Sequence, residues 1–122
     1  MSTRANIKIV KGDKTVWLYH HCDGYPEYLG HKLTDVLNSF VVKEYTRVED
    51  IANRLFKDQE DKGFEMSANP VDGVEFMYGI NLDEKRLYIW RVGKENVLLH
   101  VGSWVTNEDA DDLMKWCEEY RG

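Results

Sequence analysis

The run Thr15-Val16-Trp17-Leu18-Tyr19-His20-His21-Cys22-Asp23-Gly24-Tyr25-Pro26 decides the fold, because an apolar strand there passes through a tight turn into a helix. Val16 and Leu18 alternate with Trp17 and Tyr19, so the strand is apolar on both faces, as a covered or central strand is. Asp23-Gly24 is a turn dipeptide, and a proline at position 26 suits the first turn of a helix. Polar groups gathered at such a junction are where small α/β proteins commonly meet a ligand.

Upstream, residues 5–10 alternate Ala5, Ile7 and Ile9 with Asn6 and Lys8, which is a strand pattern. Lys11-Gly12-Asp13-Lys14 supplies a hairpin turn, with glycine free to take a positive φ. Closing that hairpin places Val10 opposite Thr15, Ala5 opposite His20 and, one step beyond, Arg4 opposite His21.

Downstream, a helix from Pro26 to about Tyr45 would bury Leu29, Leu33, Val36, Leu37, Phe40 and Val41. Thr46-Arg47-Val48-Glu49 reads as a capping box for a second helix with Val48, Ile51, Ala52 and Leu55 inward and Gly63 as its stop. Residues 64–73, with Asn69-Pro70 and Asp72-Gly73, read as irregular. Residues 74–81, 86–92 and 97–104 follow as strands joined by short turns, hence antiparallel. A last helix behind Thr106 would bury Ala110, Leu113, Met114, Cys117 and Tyr120.

The order ββααβββα predicts a single α+β domain over residues 1–122. Its expected form is two-layer, a mostly antiparallel five-stranded sheet with three helices on one face. Val74, Phe76, Tyr78 and Ile80 can then line the core, which sends Trp17, Tyr19, Tyr88 and Trp90, or their alternates, to the other face. Aromatic rings there predict a ligand groove or the interface of a homo-oligomer.

The net charge is -6, with residues 1–61 carrying 9 basic and 10 acidic groups and residues 62–122 carrying 7 and 12. No Lys/Arg cluster exists to release counterions, so duplex nucleic acid is a disfavoured partner. No apolar run reaches the length of a membrane span, and the first residues lack a signal-peptide core, so no membrane partner is expected. Two cysteines, Cys22 and Cys117, are too few for a secreted disulfide framework, which predicts a cytoplasmic protein in which both thiols fill core space.

Three chemistries are open at the junction. Metal ligation by His20, His21, Cys22 and Asp23 is opposed by alternation, which points neighbours to opposite faces, so no metal or other cofactor is expected. Acid–base catalysis would use His21 oriented by Asp23. Binding would use Arg4, Tyr19, His21, Asp23 and Tyr25 as hydrogen-bonding and stacking groups. A purely structural turn, with Asp23 bonding nearby amides and His21 satisfying a carbonyl, stands beside all three.

The opening Ser2-Thr3-Arg4-Ala5-Asn6-Ile7 and the segment Tyr19-x-His21-x-Asp23-Gly24-Tyr25-Pro26 resemble a widespread family of small proteins of bacteriophages, prophages and gut-bacterial genomes. That family begins S-T-R-(S/A)-x-I and continues through a hairpin to Y-x-H-W-D-G-Y-P. Val74-Glu75-Phe76-Met77-Tyr78 and Leu82-Asp83-Glu84-Lys85 resemble a later strand and turn of the family, while Cys22 stands where it often has tryptophan. The family has no established enzymatic activity. The resemblance implies a phage-related, non-enzymatic binding protein of the host cytoplasm, acting against host defence by occluding a host protein or sequestering a nucleotide-like ligand. The alternatives are a small hydrolase or nuclease-like enzyme built on His21 and Asp23, and a structural assembly module.

Overall fold

A computed structural model describes residues 3–38, 43–57, 63–93 and 97–103. The chain is α+β: β1 (Ala5–Lys11), β2 (Lys14–His20), a π-helical turn (Pro26–Gly30), α1 (His31–Asn38), α2 (Val48–Phe56), β3 (Phe64–Ser67), β4 (Phe76–Asn81), β5 (Arg86–Arg91) and β6 (Val97–Ser103). The sheet order is β3-β2-β1-β4-β5-β6. Every neighbouring pair is antiparallel except β1 and β4, which run parallel at the centre.

The β1–β2 hairpin has the register its turn dictates, with Ala5 opposite His20 and Val10 opposite Thr15. Gly12 takes φ 57°, the left-handed conformation that closes the turn without steric cost. Alternation then sorts the strands into two faces. Ala5, Ile7, Ile9, Leu18, Phe76, Tyr78, Ile80, Leu87 and Ile89 form one buried cluster with Leu29, Leu33, Leu37, Val48, Ile51, Ala52 and Leu55 of the helical layer. Burying such side chains at about 1.5–3 kcal/mol each holds the two layers together. Trp17, Tyr19, Tyr88 and Trp90 lie half-buried on the opposite face.

Several expectations change. The sheet has six strands rather than five, because Phe64–Ser67, read from sequence as irregular, pairs with the outer edge of β2. It is mostly antiparallel, as expected, with one parallel pair that makes it mixed: β1 is flanked by β2 and β4, so β4, β5 and β6 extend the sheet from β1. The first helix starts with a π turn, and Lys43–Tyr45 are no longer helical; Tyr45 sits in a turn closed by the Thr46 N–H on the Lys43 carbonyl at 3.0 Å. The cap of α2 shifts by one residue. Asp50 accepts the Arg47 N–H at 2.8 Å, while the Thr46 hydroxyl instead accepts the Lys43 N–H at 2.8 Å. Helix α2 ends at Phe56, before Gly63. Among the described residues there are two α-helices; the expected third, with Cys117, lies outside them, as do Phe40 and Val41. No helix among the described residues is long and apolar enough to cross a membrane.

The parallel pair requires a crossing. The chain leaves β3 opposite Trp17 and must reach the start of β4 opposite Ala5, on the far side of β1. Residues 68–75 make this passage over the face that carries no helix among the described residues, here the helix-free face. Asn6 holds them there: its amide donates to the Val71 carbonyl at 2.9 Å and its oxygen accepts the Val71 N–H at 3.1 Å. Asn6 is only 3% exposed, so this pair of hydrogen bonds satisfies a buried amide that would otherwise be costly.

Candidate functional site

The strand–helix junction is assembled around Gly24. Its N–H donates to the Thr3 carbonyl at 2.9 Å, and its carbonyl accepts the buried Tyr78 hydroxyl at 2.7 Å. A Cβ on Gly24 would lie 2.9 Å from the Ala5 Cβ and 3.1 Å from the Ala5 nitrogen, so only glycine lets the turn press against β1. Tyr25 is extended (φ -73°, ψ 151°), and Pro26 fills the first helical position, where no N–H is required. Tyr25 packs against the core cluster and lies 6.3 Å from the Tyr28 ring.

The expected binding residues separate in space. Arg4 and Tyr19 do meet, with the guanidinium 3.5 Å from the phenol oxygen. The other guanidinium nitrogen donates to the Gly73 carbonyl of the crossing segment rather than reaching Asp23. The Arg4 backbone continues the clamp, its N–H donating to Glu75 at 2.7 Å and its carbonyl accepting the Glu75 N–H at 3.0 Å. His21 turns to β3, its Nδ1 lying 3.7 Å from Glu65. With both side chains about half exposed, that ion pair contributes little.

Asp23 is exposed, has φ 50°, and makes no side-chain hydrogen bond or ion pair among the described residues. The alternation that would have aligned His21 with Asp23 stops at His20, where β2 ends. His20 itself is fully buried, its ring 4.6 Å from Phe64. Among the described residues, no three His, Cys, Asp or Glu side chains gather as a metal centre would need.

A second region was half-visible in the sequence. The crossing segment covers the Asn6 end of this face, and no other described residues cover the rest. There Lys8 and Val10 of β1, Gly79 and Asn81 of β4, and Tyr88 and Trp90 of β5 border a trough of about 310 Å³, closed at one end by Glu84. Gly79 forms the floor; a Cβ there would meet the Trp90 ring at 2.9 Å, so the missing side chain is what lets the indole lie over the sheet. Tyr88 and Trp90 stack 5.5 Å apart and within 9° of parallel. Lys8 places its ammonium 5.6 Å from the Trp17 ring, a cation–π contact.

The Tyr88 hydroxyl donates to Glu84 at 2.7 Å. That bond, with some desolvation and the nearby negative charge, holds the phenol pKa above its ordinary value, against a smaller opposing influence from Arg86. Opposite Trp90, across a β-bulge, Leu98 is 49% exposed and prolongs the apolar strip.

Sequence reasoning named the rings of this face but not Lys8, Gly79, Asn81 and Glu84 as their neighbours. A glycine inside a strand pattern beside aromatic residues was the available signal. Comparison with protein-family models, with curated proteins and with solved structures finds no match to this chain.

Proposed function

We propose that this chain is a non-enzymatic binding protein that presents the helix-free face of its sheet, and not the strand–helix junction, to its partner. The observation that carries this reading is the trough beside Tyr88 and Trp90, with its 310 Å³ of open space and half-buried rings. Pockets that take small ligands combine apolar walls with a few placed polar groups, which Lys8, Asn81 and Glu84 supply here. The junction offers less: Arg4 is engaged with Gly73 and Tyr19, His21 lies beside Glu65, and exposed Asp23 bonds to neither Arg4 nor His21. A hydrolase or nuclease reading needs an imidazole next to its orienting carboxylate, and His21 has Glu65 where Asp23 was expected.

The likeness of the opening residues and of the Asp23-Gly24-Tyr25-Pro26 segment to phage and prophage proteins supports a setting in the cytoplasm of an infected host. A counter-defence role, occluding a host protein or holding a small ligand, fits a small acidic protein of that kind. A second copy of the chain is the competing occupant of the open face.

The test is native mass spectrometry of the protein purified from the cells that encode it, compared with Trp90→Ala and with a His21→Ala, Asp23→Ala pair. An adduct or co-purifying polypeptide lost only from Trp90→Ala supports the reading. Loss only from the junction pair overturns it, and so does a bare monomer from every sample.

A further inference from the structure

Resting on that reading, we infer that the trough between Lys8 and Trp90 is a nucleotide site, its aromatic wall taking the base and its lysine the phosphate. Three features select this ligand. The first is shape: no side chain stands at Gly79, Lys8 and Val10 border one side of the trough, and the stacked Tyr88 and Trp90 rings border the other. Base–aromatic stacking is tolerant of base identity because every base has a π-face. A volume of about 310 Å³ falls at the low end of small-ligand pockets, enough for one nucleotide unit and too small for a folded partner's loop.

The second feature is the arrangement of charge. Lys8 pairs in register with Gly79 and Val10 with Asn81, so the Lys8 and Asn81 side chains are rooted two residues apart on one face, roughly 7 Å along the strands. Asn81 Oδ1 already accepts the Glu84 N–H at 3.0 Å, so the acceptor at this end is the Glu84 carboxylate, which also takes the Tyr88 hydroxyl. A ligand complementary to this line has hydrogen-bond donors on a planar head and a negative tail. A base with an exocyclic amino group, joined through ribose to phosphate, is that ligand. The third feature is the net charge of -6, which opposes a long phosphate track and therefore favours a single nucleotide unit over a strand.

The experiment is titration of the isotope-labelled full chain, followed by NMR at the Gly79 amide and Trp90 indole, with AMP, CMP, GMP, UMP, inorganic phosphate and a single-stranded hexanucleotide. Saturable shifts at both positions with AMP, CMP or GMP are expected, weaker with UMP, which lacks the amino group, and absent with phosphate alone. Trp90→Ala should weaken binding about tenfold or more, the scale of one lost stack, and Lys8→Gln by several-fold. The His21→Ala, Asp23→Ala pair should bind as the parent does, which also shows that the fold is intact. Tighter binding of the hexanucleotide than of the mononucleotides would assign the site to strand ends rather than to free nucleotides.

No saturable shift with any nucleotide, or shifts confined to His21 and Glu65, overturns the inference. If nucleotides fail while Trp90→Ala still releases a native adduct or polypeptide, the open face remains the binding surface and only its ligand is wrong. If Trp90→Ala releases nothing and nucleotides fail as well, both readings fall.

Discussion

The two ends of the helix-free sheet face put similar side chains to different uses. At the Asn6 end, the Arg4 and Asn6 side chains bond to backbone groups of the crossing segment, Tyr19 meets the Arg4 guanidinium, and the crossing chain lies over them. At the Lys8 end, two stacked rings, a lysine over an indole and a carboxylate-bound phenol border open space. Where polar and aromatic groups close on the protein's own backbone they act as structure. Where their partners are one another, around a gap, they are available to something else. The conspicuous sequence motif therefore marks the locked end.

The largest effect that would break this contrast is at Gly24. Gly24→Ala forces a Cβ to 2.9 Å from Ala5, against β1 at the centre of the sheet, and should cost about 1–3 kcal/mol, as overpacking does. A thermal melt shifted by several degrees is expected; an unchanged melt would mean the turn does not clamp the sheet. Asn6→Ala comes next. It strands the Val71 N–H and carbonyl and should cost about 1–3 kcal/mol in chemical denaturation, with faster amide exchange at Val71.

At the open end, the sharpest probe is pH. Tyr88 should ionise above the ordinary tyrosine range in an ultraviolet titration, and Glu84→Gln should bring it down. The sign follows from the raised folded pKa: any stability from this bond is complete below the unfolded tyrosine pKa and is lost as pH rises through the folded one. The smallest effect is expected of the His21→Ala, Asp23→Gly pair. Glycine suits the φ of 50° at position 23, and the His21–Glu65 pair is half exposed, so the melt should move little in either direction.

What the sequence disclosed follows the range of each interaction. The hairpin register was legible because a short turn fixes it, and the inward stripe of α2 because its period is local. Alternation required either the rings of β2 and β5 or their alternates on the second face, and the pairing to β1 and β4 decides for the rings. Strand β3 was not legible: it is four residues long with one buried side chain, Phe64, and a single edge partner, so its conformation comes from β2. The fate of Arg4 was hidden for the same reason. Register gave its neighbour across the hairpin, but its side chain goes to Gly73, brought there by the crossing over β1. Asp23 escaped because a positive φ at a non-glycine residue leaves no periodic trace.

The placement of β1 in the middle of the sheet has a consequence for synthesis. Arg4, at the mouth of this strand, bonds to Glu75, 71 residues further along, so an emerging chain completes its first hairpin long before the other side of β1 has a neighbour. Until Phe76–Asn81 leaves the ribosome, the edge carrying Ile7 and Ile9 stays open to any stray strand, including that of a sister nascent chain. Slow translation between the hairpin and β4 would prolong that exposure and favour aggregation, whereas speeding those codons should raise the soluble yield.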